Sequence, residues 1–193
     1  MKLVKPVLMV LAVLVVLILA LAAVLPSDYR LVRTVDINRP VEHVYPLVVN
    51  LPNWPKWDPF TASDPDARSS FSDETGTVGS SWSWEGEVVG VGRLTLEDFV
   101  TNESIRSELE FVSPQPMVGK DIWEFSETPA GTKVAWVSEG YLDYPMGRLA
   151  GLFMESILGP SIESGLAKLK TVSEAMPLVP VESPSDGIET AGE

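Results

Sequence analysis

Residues 80–141 read SSWSWEGEVVGVGRLTLEDFVTNESIRSELEFVSPQPMVGKDIWEFSETPAGTKVAWVSEGY, and they decide the fold. Large apolar side chains recur at every second position. Trp82 and Trp84 share one face of an extended chain, as do Leu94 and Leu96, then Ile105, Leu109 and Phe111, then Trp123 and Phe125, then Val134 and Trp136. The opposite positions carry Arg93 and Glu97, Arg106, Glu108 and Glu110, Lys120 and Glu124, and Lys133 and Glu139. That alternation predicts an antiparallel sheet with one face wet and the other covered. Thr128-Pro129-Ala130-Gly131 supplies a tight hairpin, and Ser113-Pro114-Gln115-Pro116 breaks the strand before it.

Upstream, Tyr29 to Asn38 alternates as one more strand. Asn38-Arg39-Pro40 then opens a helix whose apolar positions are Val41, Val44, Tyr45 and Val48. Pro46 removes a backbone donor inside it, so a short or kinked helix is expected, passing into LPNWPKWDPF at residues 51–60. Residues 61–79 are rich in Ser, Asp, Thr and Gly and read as a loop with a short strand at Arg68–Phe71. Downstream, Met146 to Met176 is helical in pattern, with Leu149, Leu152, Phe153, Ile162, Leu166, Leu169 and Val172 at three- and four-residue steps. A kink or a short break is expected at Gly159-Pro160, where the proline suits the first turn of a second helical segment. The domain is therefore drawn from residue 28 to 176, and the acidic, proline-rich residues 177–193 are expected to be a disordered tail.

Residues 1–27 have a different character. Val7 to Leu25 runs for 19 residues without a polar group, and as a helix it spans roughly 28 Å, close to the hydrocarbon core of a bilayer. Lys2 and Lys5 precede it, and no basic excess follows. The positive-inside rule then places the N-terminus in the cytoplasm and the domain outside, as a single-pass membrane protein. A cleaved signal peptide ending at Ala20-Leu21-Ala22 is the alternative. The apolar run continues past that site, which argues for an uncleaved anchor.

The net charge of −13 is concentrated in the domain. Phosphate backbones and anionic head groups would be repelled by it, so nucleic acid is not an expected partner. There are no cysteines and one histidine. Thiol nucleophiles, disulfides and Cys- or His-rich metal sites are thereby excluded, and neither a metal nor a cofactor is expected. His43 lies between Glu42 and Val44 on the polar side of the first helix, so no catalytic residue is assigned to it. Gly90-Val91-Gly92 lacks the following helix that a dinucleotide site needs. Asp64, Asp66, Asp73 and Glu74 lack the spacing of a calcium loop and read as a solvated acidic segment. Asn102-Glu103-Ser104 is a formal glycosylation sequon in a turn, relevant only in a eukaryotic secretory pathway.

Four stretches together resemble the START-like superfamily, also called SRPBCC, in its polyketide cyclase/dehydrase-like branch. They are Val35 to Val44, Leu51 to Phe60, the strands from Gly90-Val91-Gly92-Arg93 through Leu109-Glu110-Phe111 to Gly131–Trp136, and the last helix with Gly159-Pro160, Glu163 and Gly165–Lys170. The resemblance covers Tyr29 to Glu174. It implies an α+β helix-grip fold, a curved antiparallel sheet wrapped around a long C-terminal helix with a cavity between them. Members bind lipids, sterols, polyketides or other hydrophobic molecules, and only some are enzymes.

The expected site is that cavity, lined by Trp82, Trp84, Leu96, Phe111, Trp123, Phe125 and Trp136 from the sheet and by Leu149, Leu152 and Phe153 from the helix. Ala150, Gly151 and Ser156 interspersed on the helix are expected to leave it unfilled. The expected function is a membrane-anchored, non-catalytic module for a hydrophobic small molecule or lipid. One alternative is a cyclase- or dehydrase-like enzyme acting on a polyketide-type carbonyl compound, with Asp121, Tyr141, Tyr144 and Arg148 as the available polar groups. The other is an envelope interaction module without a ligand, for which the sequence names no protein partner.

Overall fold

The computed structural model describes residues 4–114 and 116–177. In chain order these form α1 (Val4–Val24), β1 (Asp28–Ile37), α2 (Val41–Val49), a 3-10 helix (Leu51–Lys56), α3 (Pro59–Ser63), β2 (Arg68–Phe71), β3 (Ser81–Gly86), β4 (Gly90–Val100), β5 (Ser104–Ser113), β6 (Met117–Thr128), β7 (Gly131–Tyr141), α4 (Met146–Gly151) and α5 (Met154–Ala175). The strands make one antiparallel sheet in the order β1-β7-β6-β5-β4-β3-β2. Strands β2 to β7 follow one another as neighbours, and β1 closes the far edge against β7, with Tyr29 opposite Gly140 and Arg33 opposite Trp136. Register shifts in the β4–β5 pair, at Val91/Gly92 and Leu96/Asp98, add local bend. The sheet curves around α5 as a helix-grip fold, and α2, the 3-10 helix and α3 complete the cover. The proposed tail, residues 177–193, lies outside the described residues beyond Pro177.

The alternation read from the sequence is the alternation found. Leu94, Leu96, Ile105, Trp123, Phe125, Val134 and Trp136 are buried on the covered face. Helix α5 meets them with Ile162, Leu166 and Leu169. It packs close because residue 165 is glycine: a Cβ there would lie 2.9 Å from Pro59 Cδ and 3.1 Å from Trp136 Cζ3. Arg33, on the covered side of the edge strand, pairs with Glu155 and Glu163 and so ties α5 to β1.

Helix α2 runs for nine residues with Pro46 inside it, burying Val41, Val44, Tyr45, Leu47 and Val48. A helix end leaves carbonyls without donors, and here two tryptophans supply them. The indole N–H of Trp54 donates to Val48 O at 2.7 Å and that of Trp57 to Leu47 O at 3.0 Å. LPNWPKW, residues 51–57, thus turns back under α2 and delivers both rings to the centre of the core.

The C-terminal helix corrects one expectation. Its break falls at Leu152-Phe153, between α4 and α5, and α5 continues through Gly159-Pro160 without interruption. Pro160 and Ser156 are both exposed, so the carbonyl that loses its donor lies on the wet side, where water can replace it.

Candidate functional site

All six tryptophans join one aromatic array. Trp54 sits at its hub, with ring centroids 4.7 Å from Trp57, 5.9 Å from Trp82, 5.8 Å from Trp123 and 6.4 Å from Trp136. Trp123 and Trp136 face each other across β6 and β7 and stack at 4.3 Å. Trp84 extends the array to Phe111, 5.8 Å away. Such rings bury large area but cannot tile a curved surface without gaps.

A gap of about 380 Å³ lies between this array and the start of α5, within the range of small-molecule sites. Trp54, Trp82, Trp84, Phe111 and Trp136 form its aromatic wall, and Leu94 and Leu109 its floor. Met154, Leu158 and Ile162, at four-residue steps on α5, form the helix side. Phe60 to Ala67 and the Val88-Val89 turn border it at the β2–β3 end.

Of the residues expected to line the cavity, Trp82, Trp84, Phe111 and Trp136 do so. Leu96, Trp123 and Phe125 instead belong to the filled core. Leu149 is half-buried on α4, while Leu152 and Phe153 are exposed, and none of the three borders the cavity. The reason is the break at 152–153, which assigns them to a separate short helix and its exit. The room does not come from small helix residues either, since Ala150 and Ser156 are exposed and Gly151 packs against Leu142.

The polar part of the cavity is on the sheet. Asp121 is 2 % exposed, on the covered face of β6, and it lines the cavity with Tyr29 and Ser138. Glycines make the space for Tyr29: a Cβ at Gly140 would lie 2.8 Å from its Cε1, and one at Gly119 would lie 3.2 Å from its hydroxyl. Burial pushes the Asp121 carboxyl up to about 6, against the nearby Trp136 indole and Ser138 hydroxyl, with the charge of Asp58 adding to the rise. Asp121 Oδ1 and the indole N–H groups of Trp82 and Trp136 nevertheless have no hydrogen-bond partner in the protein. Burial also raises the Tyr29 hydroxyl, offset in part by Ser138.

Two further acids border the cavity, and both have structural work. Asp58 caps α3, its Oδ2 accepting from Thr61 N at 2.7 Å and Thr61 Oγ1 at 2.9 Å. Burial raises its pKa against those bonds. Asp64 Oδ2 accepts from Val88 N at 2.8 Å and Val89 N at 3.1 Å, which holds the β3–β4 turn over the rim.

The other polar candidates lie elsewhere. Tyr141 and Tyr144 are exposed, and Arg148 sits 5.7 Å from the Tyr144 ring. His43 is half-buried on α2 and does not line the cavity. Among the described residues no group of three His, Cys, Asp or Glu side chains could hold a metal. Sequence reasoning missed Trp54, Asp58 and Tyr29 as lining residues, and it offered Asp121 as one of four polar candidates without singling it out. Its signal was present: Asp121 has the same parity as Trp123 and Phe125, so the alternation turns it inward.

Comparison with known proteins supplies the family. No curated protein matches the chain. Among solved structures, a protein from Chromobacterium violaceum is 17 % identical, with a TM-score of 0.56 over 78 % of this chain and 100 % of its own. A Mesorhizobium loti protein is 15 % identical, with a TM-score of 0.58 over 78 % and 100 %. The di-domain aromatase/cyclase StfQ of the steffimycin biosynthetic pathway is 12 % identical, with a TM-score of 0.60 over 76 % of this chain and 51 % of that one. These likenesses are of fold. The family model described as polyketide cyclase / dehydrase and lipid transport matches residues 29–174, three quarters of the chain, and the chain belongs to that family.

Proposed function

We propose that this chain is a membrane-attached module that binds a hydrophobic small molecule or lipid between the sheet and the first turns of α5. The observation that carries the reading is the cavity itself. It has about 380 Å³ of space walled by Trp54, Trp82, Trp84 and Trp136, with buried polar atoms left for a ligand to satisfy. A module serving only protein contacts would need no such space.

The N-terminal helix supports attachment. Helix α1 has 21 residues, long and apolar enough by length and composition to cross a bilayer. Its end meets α4, where the Tyr144 hydroxyl donates to Leu19 O at 3.2 Å and Arg148 donates to Ala23 O at 3.4 Å. Leu152 and Phe153 stand exposed at the exit of α4 and Ile157 on the first turns of α5, whose Met154 and Leu158 border the cavity. With α1 in a membrane, those outward side chains would enter the head-group boundary and the cavity would open close to it. A ligand dissolved in lipid then reaches the site at high effective concentration.

A second reading has one observation of its own. A carboxyl held near 6 beside Tyr29 and Ser138 is suited to moving a proton at a carbonyl compound, as a cyclase or dehydrase requires. Turnover of a polyketide-type substrate that is lost in Asp121→Asn would favour it.

Binding is tested with Leu158→Trp, which fills the cavity from the helix side. In lipid nanodiscs the full chain should show a saturable change in tryptophan fluorescence with a lipophilic ligand. Leu158→Trp should abolish that change while its melting temperature stays within a few degrees of the parent. An unchanged titration in the filled variant would count against this cavity as the site.

A further inference from the structure

We infer that the ligand carries a cationic amine on its apolar body, with the ammonium group held by Asp121 inside the tryptophan-walled cavity. The inference rests on the cavity being a ligand site and adds the charge class of what enters it. Among the described residues lining the cavity, Asp58, Asp64 and Asp121 are acids and none is Lys, Arg or His. The three acids are not equivalent. Asp58 is met by Thr61 and lies within reach of the charge of Lys168, and Asp64 is met by two backbone N–H groups. Asp121 has Tyr29, Ser138 and Trp136 around it and no cation. Its Oδ1 is buried without a hydrogen-bond partner.

A buried carboxylate demands a counter-charge, and the protein offers none here. The basic side chain on the same sheet face, Arg33, is taken by Glu155 and Glu163 and does not line the cavity. A carboxylate- or phosphate-headed lipid would meet three acids in a medium that screens poorly, and would be repelled. A neutral head would leave Asp121 without a counter-charge. An ammonium group supplies the charge and donates to Oδ1, and the apolar body lies along the wall formed by Trp54, Trp82, Trp84 and Trp136. The unpartnered indole N–H of Trp82 leaves room for an oxygen acceptor elsewhere on the same molecule.

The test compares octylamine, 1-octanol and octanoate, three probes with one chain and three head groups, on the full chain in phosphatidylcholine nanodiscs. Tryptophan fluorescence is read, and empty nanodiscs correct for partitioning. Octylamine should bind about tenfold or more tightly than octanol, and octanoate should give no saturable change. In Asp121→Asn the advantage of the amine should disappear while octanol binding is retained. Octanol or octanoate binding as tightly as octylamine to the parent chain overturns the inference and leaves the cavity reading standing. The parent comparison needs no variant to fold. An amine preference that survives in Asp121→Asn overturns the assignment to that residue. Absence of saturable binding by all three overturns the cavity reading and this inference with it.

Discussion

Trp57→Ala is expected to lower the unfolding free energy by about 3–5 kcal/mol, the cost of truncating a tightly packed ring. Trp57 is fully buried, contacts Trp54, Trp123 and Trp136, and holds the end of α2 through its bond to Leu47 O. Trp84→Ala should cost less than half as much. That ring is half-buried and already faces the cavity, and its N–H bond to Val89 O is long at 3.3 Å. Denaturant unfolding of both variants against the parent measures the difference. Equal losses would mean that the two rings share one filled core, and the distinction between core and cavity wall would fail.

The second large effect is a pH dependence carried by Asp121. The unfolded chain releases this proton near 3.8, whereas the folded protein holds it to about 6. Between those values the folded state binds the extra proton, so the group's contribution to stability falls as pH rises through the window and stays low above it. The full span corresponds to about 3 kcal/mol. Relative to Asp121→Asn, the parent should therefore lose most of that, about 2 kcal/mol, between pH 4 and pH 7. Asp58 titrates with the same sign in both proteins and cancels from the difference to first order. A flat difference across the window would show that Asp121 is solvated or partnered in the folded protein. A bound cationic ligand should flatten it too, which links this profile to the charge of the ligand.

The strand faces were legible because a two-residue period assigns every side chain to one side of the sheet. Trp82, Leu94, Trp123 and Trp136 could be placed from it without knowing what covered them. The same rule turned Asp121 inward, but an acid among tryptophans invites a surface reading unless parity is followed strictly. What covers the sheet was less legible. Trp54 and Trp57 lie in a proline-broken segment with no period, and their place at the hub depends on indole bonds to the end of α2. Leu149, Leu152 and Phe153 continue the helical spacing of α5, so the pattern does not reveal that the chain breaks after α4. An exposed apolar residue and a buried one look the same in sequence. Tyr29 needed the long-range pairing of β1 with β7, and the glycines opposite it, to be seen as a cavity residue.

Native mass spectrometry of the full chain, purified in nanodiscs from the cells that express it, tests the binding claim most directly. The account predicts one lipophilic molecule bound per chain, released on unfolding and absent from Leu158→Trp extracted in the same way. A parent chain that carries no small molecule, or a molecule retained equally by the filled variant, would contradict it.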